Sequence, residues 1–232
     1  MFLYGLHAAE TALANPRRRI LRVLATENAA YRLAPLLTRQ GLEPESVTAR
    51  DLDRLLGPET VHQGIALEAE PLPPVTLEEV DPNGILLVLD QVTDPHNVGA
   101  ALRSAAAFGA AAMIMTERHS PPLSGALAKA ASGAVDIVPV VLVKNLAQTL
   151  AALGERGVLR VGLAEGVELT LEAAKLSRPL ALVLGAEGKG LRQLTREHCD
   201  LLCRISTESA LASLNVSNAA AVALHWASLN AH

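Results

Sequence analysis

The chain has 232 residues, half of them apolar and 19% charged, with a formal net charge of −4 at pH 7 and only two cysteines. This is enough apolar material for one large or two small cores. Its apolar runs are too short to span a bilayer, and the basic cluster Arg17–Arg19 follows the first apolar stretch, the reverse of a secretory signal. The expectation is a cytoplasmic globular protein without a disulfide framework, whose negative balance confines any phosphate-binding surface to a local patch.

The first seventy residues alternate short helices and strands. Leu6–Leu13 has the spacing of a short amphipathic helix, stopped by Asn15 and Pro16. Ile20–Thr26 reads as a strand, Ala29–Gly41 as a helix interrupted or kinked near Pro35, and Ser46–Arg50 as a strand. Asp51–Leu56 reads as a helix with an acidic start, and Gly64–Glu70 as a last strand. Together they predict a compact α/β unit over residues 1–70. Arg17, Arg18, Arg19 and Arg22 form its basic cluster, which is either a solvated turn or a phosphate-facing patch.

Pro71–Val75 ("PLPPV") is a stiff proline-rich spacer, which puts a linker at 71–83 between two bodies. From Gly84 on, apolar strands near 85–89, 112–115, 137–143, 158–163, 180–184 and 201–205 alternate with helical segments, the pattern of a mostly parallel sheet covered on both faces. Cys199 and Cys203, even with His198 beside them, lack a second ligand pair, and the seven histidines form no ligand-spaced cluster, so no metal is expected.

Three stretches of this second body carry polar groups where a parallel sheet binds ligands. Leu89–Ala110 ("LDQVTDPHNVGAALRSAAAFGA") is a strand, a polar loop and a small-residue helix, with Asn97 near the helix start and Arg103 six residues on. Asn97 has the position of a helix cap, and Arg103, among small and apolar residues, needs a partner if it is buried. Leu180–Leu191 ("LALVLGAEGKGL") is a strand running into a glycine turn. Its spacing G-x-x-G-x-G matches neither a phosphate loop, which needs Lys followed by Ser or Thr, nor a dinucleotide fingerprint. Leu211–Trp226 ("LASLNVSNAAAVALHW") opens with Ser213, Asn215, Ser217 and Asn218 and continues as an alanine-rich buried helix.

These stretches, in this order, resemble the three motifs of the SpoU family of RNA ribose 2'-O-methyltransferases over roughly Gly84–Leu229. The resemblance implies a C-terminal parallel-sheet α/β domain (84–232) containing a trefoil knot, preceded by a small ribosomal-protein-like α/β domain that holds RNA. It implies S-adenosyl-L-methionine as cofactor, with Gly185, Ile205 and Leu214 at the family's backbone contacts to it. Asn97, Arg103, Glu187, Ser213 and Asn215 fall on the family's catalytic positions. Arg103 is assigned to the ribose 2'-hydroxyl; because a guanidinium essentially never deprotonates, its minimum role is to stabilise the developing alkoxide. The basic cluster Arg17, Arg18 and Arg19 becomes the expected RNA contact.

The family also implies a homodimer, with the last helix near Trp226 available for the contact, and no metal. The extra N-terminal unit makes a guanosine of large-subunit (23S) ribosomal RNA the closest precedent, with a tRNA ribose next. Where the family commonly has Pro, Met or Thr, and Gly, this chain has Ser206, Thr207 and Ser209. A serine held at positive φ would cost about 1–3 kcal/mol. That departure keeps a non-catalytic RNA-binding or ribosome-assembly protein as the competing reading.

Overall fold

The computed structural model describes residues 1–81, 83–123, 126–208 and 214–231. The first unit contains β1 (Phe2–Tyr4), α1 (Leu6–Ala14), β2 (Ile20–Ala25), α2 (Glu27–Gln40), β3 (Glu45–Ser46), α3 (Ala49–Leu56) and β4 (Ile65–Ala69). Its sheet runs β1-β4-β2-β3, antiparallel except for the β2–β3 pair. One sheet face buries Leu13, Leu33, Leu37 and Leu67 with α1 and α2, while Leu52 of α3 packs on the other.

Two local expectations need correction. α2 passes through Pro35 without interruption, because Pro35 lies on an exposed face where the carbonyl it leaves unpaired meets water. The expected strand Ser46–Arg50 is only two paired residues, Glu45–Ser46. Thr48 instead caps α3 in a capping box, its hydroxyl accepting from Asp51 N at 3.3 Å while Asp51 accepts from Thr48 N at 2.9 Å. Helix capping outcompetes the β-branched preference for a strand there.

The second unit contains β5 (Ile85–Asp90), α4 (Pro95–Ala107), β6 (Ala112–Thr116), α5 (Ala126–Ala131), β7 (Val140–Val143) and α6 (Leu146–Glu155). It continues with β8 (Leu159–Leu163), β9 (Leu180–Gly185), α7 (Gln193–Glu197), β10 (Leu201–Cys203) and α8 (Val216–Asn230). The six-stranded sheet is wholly parallel in the order β10-β8-β9-β5-β6-β7. The two-residue period of β5 divides the core. Ile85, Leu87 and Leu89 face α4, α5 and α8, and Leu86 and Val88 face α6. The predicted strands 137–143 and 201–205 are shorter than expected: Ala134–Asp136 forms a 3-10 turn ahead of β7, and β10 ends at Cys203.

After β10 the chain stays clamped on both sides. Ala164 N donates to Cys203 O at 2.9 Å, Arg204 N donates to Leu169 O at 2.9 Å, and Leu171 N donates to Arg204 O at 2.8 Å. Ser206 Oγ then donates to Glu172 at 2.9 Å. Ser206 therefore has a partner, and its backbone is not among the positive-φ residues; Ser209, the serine at the family's glycine position, lies outside the described residues.

The start of β10 is tied to β8 by Arg160, which donates through Nε to Asp200 at 2.9 Å and through its backbone N at 2.8 Å. The hydrogen bonds from the Arg160 side chain hold the Asp200 carboxyl below its ordinary range, against the opposing pull of burial. A depressed folded-state value means the contribution is complete above the unfolded value of about 4 and is lost as pH falls through the folded value. Asp200→Asn should therefore flatten the acid limb of stability against pH below about 4. Parallel acid limbs in chemical unfolding of the two proteins would remove Asp200 from that role.

The two units are packed together. Arg18 donates through Nε to Asp136 at 2.8 Å and through Nη2 at 3.1 Å, with both side chains almost wholly buried, and Asn15 Nδ2 donates to the same carboxylate at 3.0 Å. Gly133 fits against α1: a Cβ there would lie 2.3 Å from Thr11 Oγ1. The proline-rich stretch is not a free spacer at its far end, where Val75 bridges Val141 and packs with Leu77 against the α6-side core.

Candidate functional site

The C-terminal ends of β8 and β9, the turn after β9, the chain after β10 and the start of α8 enclose a cavity of about 420 Å³. Its apolar wall is Leu163, Leu184, Leu191, Ile205, Leu214 and Val216, and its charged groups are Glu165, Glu187, Lys189, Arg196 and Arg204. The glycine turn folds back tightly: Gly190 N donates to Ala186 O at 2.8 Å, with Gly188 and Gly190 at φ 73° and 61°. Gly185 is required by close approach, since a Cβ there would sit 2.1 Å from the Gly190 carbonyl carbon. Backbone amides and carbonyls therefore reach the cavity unscreened.

Asn215 joins the three predicted stretches. It caps α8, its Oδ1 accepting from Ser217 N at 2.9 Å and Ser217 Oγ at 2.6 Å. Those bonds fix the carboxamide orientation and aim Nδ2 outward, where it donates to Asn97 Oδ1 at 2.9 Å and Glu187 Oε1 at 3.1 Å. One side chain thus links α4, the glycine turn and α8, although its partners lie 118 and 28 residues away in sequence.

Gly185, Glu187, Ile205 and Leu214 line the cavity, and Asn97 and Asn215 meet beside Glu187. Ser213 lies outside the described residues. Asn97 is not the helix cap: Asp94 is, accepting from His96 N at 3.1 Å, and Asn97 is freed to reach Asn215. Arg103 is exposed on α4 rather than buried among its small neighbours, and it does not line this cavity. Six residues past Asn97, it stands about 9 Å further along the helix axis.

The basic cluster of the first unit is largely neutralised. Arg18, expected at RNA, is instead buried against Asp136. Arg19 pairs with Glu70 at 3.1 Å, Arg22 pairs with Glu45 at 2.9 Å, and Arg17 donates to Pro73 O at 3.3 Å. For Arg22 the cause is the sheet itself, since β4 sets Glu68 opposite it and β3 brings up Glu45.

The cavity's composition fits S-adenosylmethionine. It offers an apolar wall and open backbone groups to an adenosine moiety, carboxylates to a sulfonium or ammonium, and guanidinium groups to a carboxylate. Among the described residues, no group of three His, Cys, Asp or Glu is placed to hold a metal ion, and no helix is long and apolar enough to cross a membrane. Burial pushes the Cys199 thiol up to about 12 and raises Cys203 as well, so neither is a ready nucleophile.

Sequence reading missed Glu165, Lys189, Arg196 and Arg204 on the cavity wall. It also missed Asp90 and Arg192: Asp90, whose side chain is wholly buried, accepts from Arg192 Nε at 2.7 Å and Arg192 N at 3.1 Å. The signal for Asp90 was present, an aspartate closing an otherwise uniformly apolar strand.

Comparison with known proteins agrees with this architecture. The family model of the SpoU rRNA methylases matches residues 84–225, and that for RNA 2'-O ribose methyltransferase substrate binding matches 2–75. The chain is 41% identical to the 23S rRNA (guanosine-2'-O-)-methyltransferase RlmB of Pasteurella multocida, covering 96% of this chain and 95% of that protein. It is 38% identical to the protein of the same name from Pseudomonas putida, covering 96% and 93%. Among solved structures, an RNA 2'-O ribose methyltransferase is similar at 26% identity with a TM-score of 0.80, over 98% of this chain and 87% of that one. The fold also matches the SpoU methyltransferase AviRb of Streptomyces viridochromogenes in complex with AdoMet, with a TM-score of 0.81 at 21% identity over 99% and 89%.

Proposed function

The chain belongs to the SpoU rRNA methylase family, and from that premise we propose that it methylates the ribose 2'-hydroxyl of a guanosine in 23S ribosomal RNA, using S-adenosyl-L-methionine. The observation that carries this reading is the Asn215 junction, which brings Asn97, Glu187 and the start of α8 together beside a cavity suited to the cofactor.

In this reading the backbone of Gly185, Ile205 and Leu214 holds the adenosine portion. The cofactor, when bound, supplies an electrophilic methyl on its sulfonium; the residues of this chain position and polarise. Asn215, Asn97, Glu187 and Ser213 hold the ribose in line with the donor. Arg103 offers a guanidinium to the substrate and stabilises negative charge developing on the 2'-oxygen while its proton passes to solvent water. Its exposure leaves it accessible to RNA.

Residues 1–70 hold the RNA, 71–83 join the two bodies and 84–232 carry the chemistry, a division supported by family matches that end at 75 and begin at 84. Arg17 and Arg19, both exposed, remain RNA contacts in this reading; Arg18 does not. The trefoil knot belongs to the same reading and is supported by the match of residues 84–225 to the SpoU rRNA methylase family.

The protein works as a cytoplasmic homodimer. Val222, Trp226 and Leu229 form a stripe on α8, with Val222 41% and Leu229 61% exposed. The Trp226 indole N–H is buried with no partner among the described residues. A second copy would cover the stripe.

The test is transfer of labelled methyl from S-adenosylmethionine to unmodified 23S rRNA, with tRNA in parallel and the product mapped to one nucleotide. A single 2'-O-methylguanosine in 23S rRNA is expected. A mapped tRNA product would transfer the activity to that substrate, and absence of both transfer and cofactor binding would leave a non-catalytic RNA-binding protein.

A further inference from the structure

We propose that Asp90 is a positioning residue for the methyl-donor cavity, holding the glycine turn in its working shape through Arg192. The inference rests on reading the cavity as an S-adenosylmethionine site.

Asp90 is the last residue of β5 and stands in register with Gly185, the last residue of β9 and the entry to the turn. Its carboxylate reaches across to the turn's exit. Oδ1 accepts from Arg192 Nε at 2.7 Å, Arg192 Nη2 lies 2.7 Å from the same oxygen, and Oδ2 accepts from Arg192 N at 3.1 Å. One residue therefore fixes both ends of the segment that contributes Ala186–Leu191 to the cavity wall. Glu187, the Asn215 partner, lies within that segment.

The arrangement is not what stability alone selects. β5 is buried at every position, and its other five residues are Ile, Leu or Val. Ending it with a carboxylate carries a desolvation cost that three charge-assisted contacts must offset. The next residue, Gln91, takes a φ of 57°, a left-handed value unfavourable for a residue with a Cβ. Backbone strain and a buried charge thus adjoin where β5 leads into the loop that enters α4 just before Asn97. What they hold is the relation between that loop and the glycine turn.

Asp90→Asn keeps the side-chain shape but turns an NH₂ group toward the guanidinium or gives up one of its contacts. The expected result is a rise in the Kd and KM for S-adenosylmethionine on the order of tenfold, with kcat at saturating cofactor little changed. Amide hydrogen exchange across Ala186–Leu191 should quicken in the cofactor-free protein. Arg192→Gln should do the same, and the double variant should be no worse than either single one, because the two residues act as a unit.

A merely structural role would lower the thermal midpoint without this split between KM and kcat. Unchanged KM and unchanged exchange in folded Asp90→Asn would overturn the proposal, as would a loss confined to kcat. If Asp90→Asn does not fold, Arg192→Lys decides by the same criteria, since it keeps a cation beside the buried Asp90 carboxylate while losing the Nε and Nη2 fork that holds it. Wild-type protein that takes up no S-adenosylmethionine would overturn the functional reading and this role together; wild-type binding with unperturbed variants overturns this role alone.

Discussion

Arg18→Ala should destabilise the protein by about 3–5 kcal/mol, because it leaves the Asp136 carboxylate buried with its ionic partner removed. Both side chains are almost fully excluded from solvent, and the pair joins residues 118 positions apart on two different units. For a chain of this size the loss corresponds to a fall in thermal midpoint of roughly 10 °C. Asn15 Nδ2 still donates to Asp136, but a carboxamide cannot neutralise a carboxylate.

Replacing both charges with apolar residues, Arg18→Met with Asp136→Leu, should recover part of the loss, since burying an ion pair is itself costly. Recovery should be incomplete. The Glu70 carbonyl, which accepts from Arg18 Nη1 at 2.9 Å, and Asn15 Nδ2 would both lose their partner. A midpoint for Arg18→Ala within a degree or two of wild type would mean that the two units do not hold this contact in solution.

Arg103→Ala should reduce methyl transfer by at least about 10²-fold, the scale seen when one donor to a developing oxyanion is removed. Cofactor affinity and thermal midpoint should stay near wild type, because Arg103 is exposed on α4 and lies outside the cavity wall. The effect belongs in kcat, as expected for an interaction made in the transition state. Arg103→Lys should recover little, since a point charge does not reproduce the planar fork. Retained turnover, or a large loss of stability, would make the residue a surface or structural arginine. The contrast with Arg18 is sharp: two arginines of one chain, one expected to act on stability and one on rate, divided by burial.

Much of the site was legible. The glycine spacing in "GAEGKG" excluded two common nucleotide loops, and the turn lines the cavity as expected of a backbone-rich wall. Asn97, Glu187 and Asn215 were singled out from three separate stretches, and the structure brings them within hydrogen-bonding distance. Other local expectations failed where two rules competed. Asn97 and Asp94 both suit a helix start, and Asp94 took the cap because Pro95, directly after it, favours the first helical position. Thr48 suits a strand or a cap, and Asp51 three residues on closed the capping box.

The sequence by itself determined the alternation of strands and helices, the glycine turn and the polar opening of α8, because each depends on the periodicity or conformational freedom of neighbouring residues. Tertiary structure alone decided which charges are available. Arg17, Arg18 and Arg19 are indistinguishable in sequence, yet one donates to a backbone carbonyl, one is buried against Asp136 and one lies exposed beside Glu70. It also decided that Asp90 meets Arg192 and that Asn215 meets Asn97. The physical reason is shared: a charge or carboxamide has no fixed role until the fold sets its burial and its partner, and those partners come from strands and turns far away along the chain.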